Sequence, residues 1–377
     1  MKHIIIKRIH PTLSAVVAVL SIATGTSLFA QGAILPNLSP TPTFSVSTVP
    51  SNGDLNPYGV AFVPQGFPTD GLLSPGDILV SNFNASSNVQ GTGTTIVKID
   101  SSGHQSLFFQ GKNGLGLTTA LGVLRGGFII VGNLPTNTPS GMCTETTPGE
   151  ETGVGKGSLL VIDRFGHHVG TIRSKHFLNG PWDLTVSDQT STAAVFVSDV
   201  LNGAVTRLDL NVDPSSGVAV AAMTRIASGY TRRCDPAALV VGPTGLALDP
   251  SGLLYVASTG DNAIYAVPNA NISTGDHGKG ALVVSDPAHM HGPLGLARSG
   301  NGDLITSQGD AVNPDPNHPS EIVEYSAAGT FVAEFSIDSA PGSAFGLALR
   351  PTSNGFVFAA VDDGMNVLDI WVVQQTP

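Results

Sequence analysis

Charged residues are scarce in this chain, and basic residues are the scarcest of them. Only 12% of the 377 residues are charged, and 17 Lys and Arg stand against 28 Asp and Glu, which gives a net charge of −11. No cluster of Lys or Arg follows the N-terminus, whereas proteins that hold nucleic acid carry a basic patch or stripe. We therefore expect no nucleic-acid partner.

Long apolar runs are missing beyond residue 30. The sequence opens with the basic segment MKHIIIKRIH and continues with the uncharged run LSAVVAVLSIATGTSLFA. This order is typical of a secretory signal peptide, so we expect a signal over 1–30 that is cleaved after Ala30; a short membrane anchor is the alternative. Residues 31–42, which include LPNLSPTP, are predicted to be a Pro-rich linker. The mature protein is then expected to be secreted or periplasmic, without a membrane span.

Glycine and proline are abundant, with 45 and 26 residues, and they mark a repeat. A turn followed by an apolar strand recurs six times, at intervals of 50 to 63 residues. The same position of this motif is occupied by Gly59, Gly122, Asp183, Gly245, Gly295 and Gly346. Further strand-like segments follow in each unit, to a total of four in most. Units of four short strands at this spacing are typical of propeller blades. We predict an all-β fold, a six-bladed β-propeller of four-stranded blades, over 43–377.

The sixth unit has only three strands before the chain ends at Pro377. An orphan strand, TFSVSTVP at Thr43–Pro50, precedes the first unit. In a closed ring this N-terminal strand can pair as the outer strand of the sixth blade, which removes an open seam. We therefore predict that the ring is closed by the N-terminal strand.

One unit resembles a known repeat. The stretch PTGLALDPSGLLYVASTGDNAIYAV resembles the NHL repeat, and its matching positions are Pro243, Gly245, Asp249, Gly252 and Asn262. The fifth and third units match in part, and the second lacks the proline. The resemblance implies a six-bladed NHL-like propeller. It says little about function, because binding proteins and enzymes share that fold.

The strand order sorts the loops by face. Loops that precede the first strand of a blade, and loops between its second and third strands, share one rim, here called the upper face. Cys143 and Cys234, the two cysteines, both fall in such loops, on the second and fourth units. Since an exported protein can keep a disulfide, we expect the two to be bonded rather than to be unrelated free thiols.

The upper face also collects the residues that could bind a ligand. We select Tyr58, Trp182, Asp199, Asp261, His289, His291 and His318, with Asn84, Asp310, Phe345 and Asp362 beside them. At such positions Trp182 more commonly packs at the channel mouth than stacks on a ligand. Asp199 and Asp261 more commonly cap turns through backbone amides than act as acids or ligands.

The pair His289 and His291 is the most specific indication of a binding site among these residues. Alternate residues of an extended segment face the same way, so both imidazoles could meet one metal ion, completed by His318 or Asp261. The loop around 310–317 could instead offer oxygen ligands to Ca²⁺, although its spacing fits no calcium loop. Since the histidine spacing is common by chance and the loop has no known calcium-binding pattern, we predict no bound metal and no cofactor.

Catalytic motifs are few. Gly-x-Ser-x-Gly and His-Glu-x-x-His are absent from the sequence. Gluconolactonase-type hydrolases share this fold. Their Glu-Gly-Pro and Asn-Gly elements are replaced here by Asn56-Pro57-Tyr58 and Thr244-Gly245. The Trp-Phe-Thr-Glu repeat of streptogramin lyases is missing from the sequence. We therefore predict a monomeric binding scaffold for a protein, glycan or small molecule. The alternative is a metal-assisted, lactonase-like lyase or hydrolase at the channel mouth, and whether the chain is an enzyme stays open.

Overall fold

The computed structural model describes residues 32–145, 150–309, 317–319 and 321–374. The predicted signal over 1–30 and the candidate Asp310 lie outside these ranges. Two short 3-10 helices occur in them, η1 at Leu35–Asn37 and η2 at Thr259–Asp261, and the remaining regular structure is strand. In the described ranges no helix has the length and apolar content needed to cross a bilayer.

The first half of the chain forms strand β1 and three four-stranded blades. Strand β1 is Phe44–Ser47. Blade 1 consists of β2 Leu55–Phe62, β3 Ile78–Asn84, β4 Thr95–Ile99 and β5 Gln105–Gln110. Blade 2 and its inserted hairpin β8–β9 consist of β6 Leu117–Leu124, β7 Phe128–Asn133, β8 Thr144–Glu145, β9 Glu151–Thr152, β10 Ser158–Asp163 and β11 His168–Ile172. Blade 3 consists of β12 Pro181–Asp188, β13 Thr192–Asp199, β14 Ala204–Asp213 and β15 Gly217–Ser228.

The second half begins with a hairpin and adds three blades. The hairpin, which precedes blade 4, is β16 Arg233–Asp235 and β17 Leu239–Val241. Blade 4 consists of β18 Pro243–Leu248, β19 Leu254–Ser258, β20 Ala263–Val267 and β21 Ala281–Val284. Blade 5 consists of β22 Pro293–Arg298, β23 Leu304–Gln308, β24 Glu321–Tyr325 and β25 Phe331–Ser336. Blade 6 consists of β26 Ala344–Thr352, β27 Gly355–Asp362, β28 Val367–Gln374 and β1.

The blades close into a ring. The inner strands β2, β6, β12, β18, β22 and β26 contact one another in that order, and β26 contacts β2. Strand β1 pairs antiparallel with β28 from Phe44 opposite Ile370 to Ser47 opposite Val367. The predicted all-β, six-bladed propeller and its closure by the N-terminal strand are confirmed.

The repeated glycine lies where neighbouring inner strands come closest. A Cβ at Gly59 would stand 2.6 Å from the carbonyl oxygen of Thr119 in the next blade, and one at Gly295 would stand 2.5 Å from that of Phe345. Both distances are too short for a real side chain, so only glycine permits this approach. The register of all six inner strands also shifts here, which indicates a β-bulge at each repeat.

Burial falls from the inside of a blade to its outside. Every residue of the second strand β3 is buried, whereas only two of the twelve residues of the outer strand β15 are buried. Second strands lie between the sheets of neighbouring blades, so both of their faces are covered, polar residues such as Ser81 and Asn82 included. This arrangement leaves function to the loops at the two rims.

The segment predicted as a linker is packed against the ring. Ile34, Leu35 and Leu38 are buried among apolar side chains of blades 5 and 6. The described part of 31–42 thus contacts the ring through these three side chains. Three apolar side chains among the prolines supply enough buried surface to fix the segment.

Candidate functional site

Four aromatic side chains form one cluster at the upper face. Tyr58 is stacked between Phe83 and Phe345, with ring centroids 4.6 and 4.4 Å away. Trp182 meets Tyr58 and Phe83 edge-on at 6.0 and 5.4 Å. Burial, with a smaller effect from the Asp363 carboxylate, raises the pKa of Tyr58 far above its usual range. The structure thus brings together Tyr58, Trp182 and Phe345, three of the residues selected from the sequence.

Loops of blades 2 and 4 pack against this cluster and are tied to each other. The structure joins Cys143 and Cys234 in a disulfide, with Cα atoms 5.2 Å apart. Arg232 adds ion pairs to Glu151 at 2.5 Å and to Glu145 at 3.4 Å. These contacts hold the β16–β17 hairpin at the channel mouth. The sequence indicates an irregular loop at this position.

A cavity of about 310 Å³ lies beside the cluster. Its walls come from inner strands and upper-face loops of blades 1, 3, 4, 5 and 6 and from the β16–β17 hairpin. The lining residues are Asn56, Tyr58, Gln90, Trp182, Ala237, Ala238, Val240, Val241, Thr259, Leu294, Gly309, Pro341, Gly342, Phe345 and Asp363. Concave sites with apolar walls and a few polar groups are typical of small-molecule binding.

The polar edge of the cavity is formed by Asn56 and Asp363. When the Asn56 amide is oriented to satisfy both neighbours, its nitrogen donates to the two Asp363 carboxylate oxygens at 3.2 and 3.3 Å, and its oxygen accepts from Asn84 at 2.9 Å. Burial, followed by repulsion from Asp362, raises the pKa of Asp363 to about 7. The amide donors favour the charged carboxylate and oppose that rise. Asp363 can therefore accept or release a proton near neutral pH.

Asn56 also has an uncommon backbone conformation. Its φ is 59°, in the left-handed region that few side chains other than Asn tolerate. The backbone N–H of Asn56 donates to the side-chain oxygen of Asn366 at 2.7 Å, which holds this conformation. Strained residues of this kind cluster at functional sites. The amide that faces Asp363 is thus positioned by its own backbone.

The selected aspartates of blades 3 and 4 hold loops instead. The buried Asp199 carboxylate accepts N–H groups of Asn179 and Gly180 at 2.8 and 2.7 Å, and the side-chain amide of Asn202 at 2.6 Å. Burial outweighs these hydrogen bonds and raises the pKa of Asp199 to about 6. Neither Asp199 nor Asp261 lines the cavity.

Asp261 is a local ion-pair centre. Its carboxylate accepts from Lys279 at 2.8 Å, from the Thr231 hydroxyl at 2.6 Å and from the Ser258 hydroxyl at 2.7 Å. Burial opposes ionisation, but these hydrogen bonds outweigh it and lower the pKa of Asp261. The group therefore joins the loops around blade 4 and stays charged.

The histidine pair does not form the arrangement that the spacing predicts. Residues 286–290 form a turn, in which the Met290 N–H donates to the Asp286 carbonyl at 2.7 Å, so the assumption of an extended segment is wrong. The His289 ring lies 3.8 Å from that of Phe331, and its Nδ1 is 2.7 Å from the Asp286 carboxylate. The intervening Met290 is fully buried and fixes the turn.

The remaining histidines make separate contacts. The backbone N–H of His291 donates to the Gln308 side chain at 2.7 Å, and His318 lies 3.4 Å from the Glu334 carboxylate. Within the described ranges, no three His, Cys, Asp or Glu side chains are grouped to hold a metal ion. The calcium loop considered around 310–317 falls mostly outside those ranges.

Asp363 and Gln90 are cavity residues that the sequence reasoning missed. Asp363 follows Asp362 in the loop between the second and third strands of blade 6, so the doubled acid at an upper-face position was an available signal. Gln90 lies in the corresponding loop of blade 1, where no pattern distinguishes it. The β16–β17 hairpin gave no signal either, because its strands are only three residues long.

Known structures resemble this chain in fold. No protein-family model matches it, and no curated protein matches it in sequence. A luciferin-regenerating enzyme superposes with a TM-score of 0.52 at 10% identity, covering 88% of this chain and 98% of that one. Virginiamycin B lyase from Staphylococcus aureus gives 0.49 at 14% identity, with 88% and 99% covered. The calcium-binding protein regucalcin from Agrobacterium tumefaciens gives 0.48 at 11%, with 88% and 94% covered. The likeness to the luciferin-regenerating enzyme agrees with the fold described above and concerns the fold alone.

Proposed function

We propose that this protein is a secreted, NHL-like propeller that binds a small ligand in the cavity at its upper face. The observation that carries the proposal is the cavity of about 310 Å³, walled by the aromatic cluster and edged by Asn56 and Asp363. A concave, mostly apolar site of this volume favours a small molecule over a protein or glycan partner, which would need a broad surface. The N-terminal basic and apolar segments and the disulfide support export.

Tryptophan fluorescence tests ligand binding directly, because Trp182 lines the cavity and Trp371 is the second of the two tryptophans. Titration with the neutral dye N-phenyl-1-naphthylamine is expected to change Trp182 emission saturably in a Trp371→Phe variant. In a Trp182→Phe variant, the emission of Trp371 is expected to stay constant.

A blocking variant supplies the control for the site. Ala238→Phe places a ring in the cavity wall and is expected to abolish the titration, whereas Ala219→Phe, on the exposed face of β15, is expected to leave it unchanged. Equal binding by both variants would place the dye elsewhere and contradict the proposal.

An enzymatic role is the second candidate, and Asp363 is the observation that favours it. A carboxyl group with a pKa of about 7 in a ligand cavity is suited to general acid–base catalysis at neutral pH. A lyase or lactonase-like hydrolase at the channel mouth would use this group. The test is turnover of lactones and small carbonyl compounds, with elemental analysis of the same sample, and loss of turnover in Asp363→Asn.

A further inference from the structure

Two groups of the cavity lack a partner among the described residues: the Gln90 side-chain oxygen lacks a hydrogen-bond donor, and the Asp363 carboxylate lacks a cation. The Gln90 amide nitrogen donates to the Ala237 carbonyl at 2.8 Å, while its oxygen is buried and receives no hydrogen bond from any described residue. The pKa of Asp363 is shifted by burial and by the Asp362 carboxylate, and no cation contributes to the shift. A buried acceptor such as the Gln90 oxygen destabilises a fold unless a ligand or water satisfies it.

The rest of the wall suits a positively charged ligand. None of the described residues that line the cavity is Lys, Arg or His. Tyr58, Trp182 and Phe345 present aromatic surface to it, and aromatic rings attract organic cations. The net charge of −11 adds a long-range attraction for cations.

We propose that the cavity selects an organic cation, a small amine or guanidinium compound with an apolar body, with Asp363 as its counter-ion and Gln90 as a second acceptor. This inference rests on the proposed ligand-binding function and narrows it to one class of ligand. The ammonium group would donate to the Asp363 carboxylate and to the Gln90 side-chain oxygen. The apolar body would contact the aromatic cluster and the valines of β17.

Several groups face Asp363 and set its charge. Asp362 precedes it and raises its pKa, and Asp338 acts in turn on Asp362. Tyr58 of the inner strand stays neutral, and Asn56 contributes an uncharged amide. A cationic ligand is therefore the one partner in this set that would favour the ionised carboxylate by opposite charge.

A series of compounds with one skeleton tests the inference: 4-phenylbutylamine, 4-phenyl-1-butanol, 4-phenylbutanoate and 4-phenylbutyltrimethylammonium, titrated by calorimetry into the mature protein. The amine is expected to bind at least about tenfold more tightly than the alcohol, the effect of one charge-assisted hydrogen bond. The carboxylate is expected to bind most weakly. Amine affinity is expected to rise from about pH 5.5 to about pH 8.5 as Asp363 ionises.

Two variants separate charge from hydrogen bonding. Asp363→Asn is expected to remove the preference for amine over alcohol. Gln90→Leu is expected to weaken binding of the amine but not binding of the trimethylammonium compound, which has no N–H to donate. The exposed variant Asp213→Asn is the control for the change in net charge and is expected to alter neither.

The outcomes distinguish the two levels of the proposal. If the amine and the alcohol bind with equal affinity, and neither binds to Ala238→Phe, the cavity remains a ligand site and the organic-cation inference is overturned. Failure of every compound to bind would overturn the organic-cation inference, and the dye titration would then decide separately on the proposed ligand-binding function. If Asp363→Asn does not fold, the Gln90→Leu comparison and the pH dependence of the unmodified protein still decide the question.

Discussion

The Glu324 carboxylate holds the backbone of Ile34, although the two residues are 290 positions apart in the chain. The Ile34 N–H donates to both carboxylate oxygens at 2.8 and 2.9 Å, and the Leu35 N–H donates to one of them at 2.8 Å. Glu324 and Ile34 have no exposed surface. The Trp371 indole donates to the Ser39 carbonyl at 2.8 Å, so the segment before β1 is fixed at two points.

Removing the charge of Glu324 is expected to destabilise the fold. In Glu324→Gln one acceptor oxygen becomes a donor that faces backbone N–H groups, and the free energy of unfolding in urea is expected to fall by about 1–3 kcal/mol. Glu334→Gln, on the partly exposed β25, is the matched control and is expected to change it by less than about 0.5 kcal/mol. Equal stability of the two variants would show that the hydrogen bonds from Ile34 and Leu35 to the ionised Glu324 carboxylate contribute nothing.

The repeated glycine gives a second prediction. A Cβ at Gly245 would stand 2.5 Å from the Leu296 backbone nitrogen, so Gly245→Ala must push blades 4 and 5 apart. We expect a loss of about 1–3 kcal/mol, the usual effect of overpacking, measured as a lower midpoint of thermal unfolding. At Gly275 an added Cβ meets nothing within 4 Å, and Gly275→Ala is expected to unfold at the unchanged midpoint. A tolerated Gly245→Ala would contradict this account of the motif.

The architecture could be predicted from the sequence because it rests on local, repeated chemistry. Each inner strand carries a bulge at the repeat, and the Gly59 N–H donates to the Ser81 hydroxyl at 3.0 Å, as the Gly295 N–H does to Ser307 at 2.9 Å. A glycine followed by an apolar strand marks these positions in the sequence. The closure by β1 followed from counting strands. These features depend on neighbours in sequence or on the repeat itself.

The site could be predicted only in part, because it depends on which loops meet. Tyr58, Trp182 and Phe345 were found because aromatic residues at the start of inner strands converge in any such ring. The relation of Asn56 to Asp363 joins two distant parts of the chain, and no local pattern records it. The His289 turn was missed because Met290, an apolar residue between two polar ones, is drawn into the core and bends the segment.

The disulfide gives a third prediction. Cys143 and Cys234 are separated by 91 positions, and cross-links that close long loops stabilise folds by about 2–4 kcal/mol. Cys143→Ser/Cys234→Ser is expected to lower the free energy of unfolding by that amount and to expose the blade 2 insertion to limited proteolysis first. A reducing agent is expected to reproduce the effect in the unmodified protein and to leave the double variant unchanged. Resistance of the insertion in the double variant would show that Arg232 and its two glutamates suffice to hold it.

Several carboxyl groups are held partly in their neutral form by the fold, which predicts an unusual pH dependence. Burial raises the pKa of Asp183 and Asp363 to about 7 and that of Asp199 and Asp362 to about 6. An unfolded Asp titrates near about pH 4, so between about pH 4 and pH 7 the folded state binds more protons than the unfolded one. The free energy of unfolding is therefore expected to fall as the pH rises through this window.

Asp183 provides the variant that tests this window, since it occupies the glycine position of blade 3 and accepts the Leu184 N–H at 2.7 Å. Asp183→Asn cannot ionise, and the slope of stability against pH is expected to become less negative by up to about 1.4 kcal/mol per pH unit. Asp213→Asn is the control, because hydrogen bonds from Ser215 lower the pKa of Asp213 and move its titration below the window. An identical slope in Asp183→Asn and the unmodified protein, measured by urea unfolding across the window, would mean that Asp183 is ionised in the folded ring and that the channel admits water to it.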